Sequence, residues 1–335
     1  MAAAGMTSPS SRTRAVLSGF IPFAVALVLL AALQPLLPPT ATIVLINVGV
    51  NVVLAVSLNV VNGFTGQFSL GHAGFMAVGA YSSAKVTLAF ADVQLVFLPE
   101  ALSDQLVFAL ALATAMGVTG LAGFLVGMPS LRLRGDYLAI VTLGFGEIIR
   151  SIIENVAWLG GALGLSGLPR RTNVTWIGIS AVATAVMAHR LASSTQGRAL
   201  FAIREDEIAA EAMGVDTTGY KIRAFAISAA YAGLAGALSA HLIQLATPGS
   251  YGFIRSMEVV VMVVLGGLGS ISGSILAAAG LTIALELLRP FQQYRMVIYA
   301  LLLVVMMLTR PQGLLGSREL WELWRRRRPR DPGGA

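Results

Sequence analysis

Cysteine is absent from the 335 residues. That excludes disulfides, thiolate metal sites and a cysteine nucleophile. Histidine is nearly absent: His72, His189 and His241 are the three, too scattered for a His-rich metal site. Charge is scarce as well. Asp, Glu, Lys and Arg make up 12% of the chain, against about 25% in a typical soluble domain. Residues of the AVILMFWYC set make up 56%. A surface in water needs polar cover that this composition does not supply, so a water-soluble globule is excluded. Lysine is limited to Lys85 and Lys221, and the other 21 of the 23 basic residues are arginine. The formal net charge of +7, in a chain this apolar, suits the cytoplasmic rim of a membrane protein and not a nucleic-acid interface.

Catalytic motifs are missing too. A P-loop needs a glycine before its lysine. Here Ala84 precedes Lys85 and Tyr220 precedes Lys221, so the chain does not hydrolyse ATP by that machinery. No His-Glu-x-x-His occurs and no Gly-x-Ser-x-Gly supports a hydrolase, which argues against an enzyme.

What is present is a series of long apolar runs. About 20 such residues span a bilayer as a helix. The runs are Val16–Leu37, Thr42–Val61, Ala73–Ala91, Leu106–Met128, Tyr137–Leu159, Val174–His189, Ile222–Ala246 and Met296–Thr309. A further stretch, Met257–Leu288, is broken by Gly266-Gly267-Leu268-Gly269-Ser270 and reads as two spans. These runs predict an all-α polytopic bundle of ten transmembrane helices, with eight as the alternative. Arg12 and Arg14 ahead of the first run imitate a signal peptide. That run is long, contains Pro22 and has no clear cleavage site, so an uncleaved first span is expected.

With ten crossings and the N-terminus inside, the inside segments hold 16 Lys and Arg and the outside segments five. Both termini are therefore expected in the cytoplasm. The division is a tail over 1–15, a transmembrane domain over 16–309 with one long inside loop at 190–221, and a basic tail over 310–335. Arg325–Arg328 in that tail can meet anionic lipid headgroups or stay solvated.

Three segments stand out. Asn62–Gly74 packs four glycines with Asn, Thr, Gln, Ser and His between two spans, without a charge. Freed backbone and polar side chains at membrane depth are tolerated only inside protein or beside water, and a broken helix lining a path is one such place. Gly66, Gln67, Ser69, Gly71 and His72 are its candidate path residues. An ordinary tight loop is the alternative, and His72 can instead cap or pack the next helix. Gly266, Gly267, Gly269 and Ser270 repeat the theme, with close helix packing as the alternative. The third segment is the 190–221 loop. Glu205–Met213 reads as a short helix with acids at its start, Gly214 at its C-cap, and Asp216 or Thr217 capping the next helix. Its small and apolar residues suit a groove on another protein, or a solvated linker.

Intramembrane charges form the last group. Glu147, Arg150 and Glu154 share one helical face, while Lys85, Glu258 and Glu286 are isolated in sequence. Such charges are costly in lipid. They read as structural pairs fixing the bundle, with a proton relay as the alternative.

The sequence resembles the LivM-type permeases of branched-chain amino acid ABC importers. The stretches that carry the resemblance are Thr65–Tyr81, Leu131–Leu143, Gly197–Gly214, Met262–Ser270 and Arg310–Gly316. They follow the family order and cover about 42–316. The resemblance implies a permease subunit of the bacterial cytoplasmic membrane, without a cofactor of its own. Its implied partners are a second homologous permease, two cytoplasmic ATPases that use ATP, an extracytoplasmic solute-binding protein and membrane lipid. It makes the loop a coupling helix docking on an ATPase, through Arg204, Glu205, Glu207, Ile208, Ala209, Ala210, Glu211, Met213 and Gly214. The family also includes transporters of urea, amides and other amino acids. Outside it, a proton-coupled secondary transporter or a channel remains open at this point.

Overall fold

The structure, a computed structural model, describes residues 38–90, 100–309 and 313–316 with Glu319, apart from positions 132, 134, 292 and 293. The expected first span Val16–Leu37, the N-terminal tail and the Arg325–Arg328 cluster lie outside the described residues.

Each of the remaining apolar runs falls on a helix. The helices are α1 (Pro39–Asn59), α2 (His72–Ala89), α3 (Glu100–Ser130), α4 (Asp136–Asn155), α5 (Val174–Ser193), α6 (Thr195–Glu205), α7 (Glu207–Ala212), α8 (Thr217–Ile243), α9 (Phe253–Gly266), α10 (Ile271–Leu287) and α11 (Arg295–Thr309). The protein is an all-α polytopic membrane bundle. Among the described residues, its only strands are β1 (Leu165–Ser166) and β2 (Leu245–Ala246), paired antiparallel with Leu165 opposite Ala246. Five stretches are long and apolar enough to cross a membrane: Pro39–Phe64, Leu102–Ser130, Val174–Ser193, Thr217–Ile243 and Pro248–Gly266. The expected spans at 73–91 and 137–159 are helices too, but more polar. α2 carries serines, glycines and Lys85, and α4 carries Asp136, Glu147, Arg150 and Glu154.

Hydrophobicity on all sides places a helix in the middle of a bundle. α1 is such a helix, with every residue from Val50 to Thr65 buried; it packs against α5, α8, α9 and α10. α8 is the other, set between α2 and α3. Small residues permit these close approaches. A Cβ on Gly79 would collide with the backbone of Gly233, and one on Gly236 with the Met76 carbonyl. The α2–α8 seam is therefore backbone against backbone, and it tolerates no larger residue at those points.

Two ends emerge from the connections. At one, Arg171 bonds Asp104 at 2.6 Å, Trp176 Nε1 donates to Gln105 at 2.6 Å, and Tyr81 Oη donates to the Ala246 carbonyl at 2.8 Å. The opposite end gathers the α1–α2 link, the α5–α8 connection, the α9–α10 break and the segment around Leu314. These four were assigned to the same side by charge counting.

Candidate functional site

α1 does not stop cleanly. It widens into a π-helical turn, Val60–Phe64, and the chain then runs extended to α2. Thr65 Oγ1 donates to the Val61 carbonyl at 2.6 Å, and the Gln67 amide to the same carbonyl at 3.4 Å. The backbone groups freed by the break are thus met locally, as membrane depth demands. Gly66 sits at φ +69, in the left-handed region that favours glycine. A Cβ on Gly71 would strike the Thr142 carbonyl, and one on Gly74 would lie 2.7 Å from Gly146 Cα. The start of α2 is thereby wedged against the middle of α4, not held in a surface loop.

The polar side chains of this segment point into protein. His72 Nε2 and Ser57 Oγ are 2.9 Å apart, and Ser228 Oγ donates to the Ser57 carbonyl at 2.6 Å. The Ser69 amide donates to Asn62 Oδ1 at 3.2 Å, the Leu70 amide to Thr142 Oγ1 at 3.1 Å, and the Ala73 amide to Ser256 Oγ at 3.1 Å. Two buried atoms, Asn62 Nδ2 and Gln67 Oε1, have no hydrogen-bond partner among the described residues.

The two glycine-rich segments, read separately in the sequence, meet in space. Asn59 Nδ2 donates to the Ser270 carbonyl at 3.0 Å, and the Gly269 amide donates to Asn59 Oδ1 at 2.9 Å. A Cβ on Gly63 would collide with Asn59 Oδ1 and the Gly269 amide nitrogen. Gly269 itself has φ +90 and Gly267 φ +110. Ser270 caps α10 through the Gly273 amide at 3.1 Å. Gly266 and Gly273 face each other so closely that neither admits a side chain.

Arg204, the penultimate residue of α6, closes the junction. One guanidinium nitrogen donates to the Gly63 carbonyl at 3.0 Å, while Glu205 accepts from the other side at 2.9 Å. A Cβ on Gly66 would lie 2.7 Å from Arg204 Cγ, and one on Gly269 2.9 Å from Arg204 Nη1. A single arginine thus fills the space that Gly66 and Gly269 leave and ties it to the Gly63 carbonyl.

From there the chain turns into α7. Asp206 caps it, accepting from the Ile208 and Ala209 amides at 2.9 and 3.0 Å. The helix therefore begins at Glu207, and Glu205 belongs to α6 instead of the expected Glu205–Met213 helix. Gly214, at φ +83, follows the end of α7, and Asp216 caps α8 through the Gly219 amide at 3.0 Å. Glu207 binds the buried Lys221 at 2.6 Å, and Glu211 accepts from Thr217 at 2.7 Å. These bonds fix α7 on the first turns of α8. Ala210 faces inward and is buried, whereas Ala209 is exposed. Ile208 and Met213 are 68% and 84% exposed, apolar residues turned away from the bundle.

Several of the remaining charges pair at i, i+3 or i+4 spacing. Arg150 bonds Glu147 at 2.8 Å and Glu154 at 3.3 Å, and Arg255 bonds Glu258 at 2.8 Å. Arg289 bonds Glu286 at 3.0 Å, and Lys85 lies 4.5 Å from the centre of the Trp158 ring.

Comparison with known proteins places this architecture. Residues 40–308 match the family model described as branched-chain amino acid transport system permease component. The chain belongs to this family. It is 37% identical over 333 residues to the high-affinity branched-chain amino acid transport system permease protein LivM of Escherichia coli K12, covering 88% of this chain and 74% of that one. It is 39% identical over 299 residues to the LivM protein of Salmonella typhimurium, covering 79% and 67%. The LivH permease of Escherichia coli K12 is 28% identical over 211 residues, covering 62% and 65%. No solved structure matches significantly. The chain is thus a multi-pass permease component of the bacterial inner membrane.

Three residues of this permease escaped sequence reasoning. Asn59 and Asn51 stood inside an apolar run, and Arg255 was counted only as an outside charge. The available signals were an amide within a span, which seeks a partner across helices, and the i, i+3 spacing of Arg255 and Glu258.

Proposed function

We propose that this permease is one of two homologous membrane subunits of an ATP-driven importer of branched-chain amino acids. Two separate ATPases dock at α7 and supply the energy. An extracytoplasmic binding protein delivers substrate, and the chain itself holds neither ATP nor another cofactor. Arg204 carries the reading. It stands two residues before Asp206, the cap of α7, and it also holds Gly63 and packs over Gly66 and Gly269. A displacement of α7 by a moving ATPase is thereby delivered to both helix breaks at once.

In this reading Ile208, Ala209 and Met213 enter a groove of the ATPase, while Glu207 and Glu211 hold α7 to α8. Gly66–His72 and Gly266–Ser270 form the gate of the path. The unpartnered Asn62 Nδ2 and Gln67 Oε1 fit a segment that changes partners during the cycle, because a buried polar group without a partner costs about 1–3 kcal/mol. The Glu147–Arg150–Glu154 row keeps charge out of lipid.

The test is leucine uptake in proteoliposomes holding the complete importer. Ala209→Arg is expected to abolish both ATPase co-purification and uptake while the permease still folds. Uptake by this chain alone, or an Ala209→Arg complex that assembles and transports normally, overturns the proposal.

A further inference from the structure

At the end opposite α7, a cavity of about 480 Å³ lies between α4 and the start of α9. Glu147, Arg150, Arg255, Glu258, Phe253 and Ile254 line it, together with the glycine- and serine-rich turn 249–252. The lining itself holds two carboxylates and two guanidiniums, with Glu154 behind Arg150 just outside it. Each pair is an i, i+3 contact along one helix, at 2.8 Å in both cases. Such pairs, partly open to solvent, are held by well under the strength of a buried bridge, so either can be exchanged for a charged ligand. Phe253 and Ile254 are exposed beside them.

Each arginine has a second partner: Arg150 bonds Glu154 on its own helix at 3.3 Å, and Arg255 has one on another helix. Arg255 also donates to Asn51 Oδ1 at 2.7 Å, and Asn51 Nδ2 donates to Thr282 Oγ1 at 2.8 Å. Asn51 is buried in α1, so a bundle-wide relay aims the Arg255 guanidinium before any ligand arrives. That preorganisation lowers the cost of binding.

We propose that this cavity is a transient receiving site for an aliphatic α-amino acid zwitterion. Arg255 takes the α-carboxylate, with Arg150 adding to the positive field. Glu258 or Glu147, released from its own helix, takes the ammonium. Phe253 and Ile254 meet the branched side chain. An ion of one sign finds an equal number of like charges here, whereas a zwitterion satisfies both sets at once. The inference rests on the importer reading above and deepens it by placing the substrate at the delivery end.

The test is equilibrium binding of radiolabelled leucine to the complete importer in nanodiscs, without the binding protein. The wild-type complex is expected to bind leucine saturably. Isoleucine should compete, whereas isoamylamine and isocaproate, which keep the side chain but only one charge, should not. Arg255→Gln should weaken binding by about tenfold to a hundredfold, the cost of one charge-assisted bond. Assembly of each variant is checked by co-purification, and the competitor series decides the matter for the wild-type complex if a variant fails to assemble. Competition by either single-charge analogue, or unchanged binding in an assembled Arg255→Gln complex, overturns the receiving site. If leucine uptake persists in that case, the importer reading stands without it. Absence of uptake of any branched-chain amino acid overturns both.

Discussion

Arg204 and Arg255 are both partly buried arginines near the ends of their helices, and they are bonded in opposite ways. Arg204 grips backbone: it donates to the Gly63 carbonyl and packs over Gly66 and Gly269. A backbone partner held by its own helix cannot swing aside, so in the proposed coupling this contact passes displacement on. Arg255 instead shares its charge with Glu258, a side chain on its own helix that faces an open cavity. A carboxylate on a rotatable stem can let go. In the proposed importer the end near α7 transmits, and the opposite end exchanges partners.

Gly63 is where this contrast is easiest to destroy. Gly63→Leu has no room between Asn59 and Gly269, and overpacking of this kind costs about 1–3 kcal/mol or more. We expect the assembled complex to be nearly lost from membranes, measured as purified yield and thermal stability. Wild-type yield would mean that the two glycine segments separate freely. Next in size is Arg204→Ala. The ATPases should still co-purify, while leucine uptake per ATP hydrolysed falls by roughly tenfold or more, the worth of one charged hydrogen bond. Arg204→Lys should recover only part of it, since a point charge lacks the guanidinium fork. An unchanged ratio of uptake to hydrolysis in Arg204→Ala would show that the contact transmits nothing. The smallest effect is expected from Gln67→Ala, whose Oε1 has no hydrogen-bond partner among the described residues. Uptake should slow by less than about threefold, with the order of preference among leucine, isoleucine and valine unchanged. A changed order would place Gln67 against the substrate.

The helices were legible because an apolar run leaves little choice at membrane depth. Both segments singled out for glycine and polar residues prove to be true breaks. The caps at Asp216 and Ser270 and the turn at Gly214 follow local rules, whereas α7 is shorter at both ends than the expected Glu205–Met213 helix, because Asp206 is its N-cap and Met213 its C-cap. What could not be read was which local features meet. Nothing in the spacing of Gly63, Arg204 and Gly269 says that they touch, since they are brought together by helix packing over more than a hundred residues of chain. The inward turn of Ala210 and outward turn of Ala209 depend likewise on how α7 leans on α8. Asn51 and Asn59 were hidden for a different reason: in an apolar run a single amide carries no periodicity, and its importance lies wholly in its partner.

The first turn of α10 has an unusual supplier. The Ile271 amide donates to a Glu319 carboxylate oxygen at 2.7 Å and the Ser272 amide to the other at 3.0 Å, while the Leu314 amide bonds the Leu265 carbonyl at 2.7 Å. An anion at a helix N-terminus is favourable, but this one is encoded 48 residues after the first amide it serves. Because chains are made from the N-terminus onward, α10 and α11 are both synthesised before the carboxylate exists. The α9–α10 break is therefore uncapped by Glu319 until the segment carrying that carboxylate, encoded after α11, has itself been made.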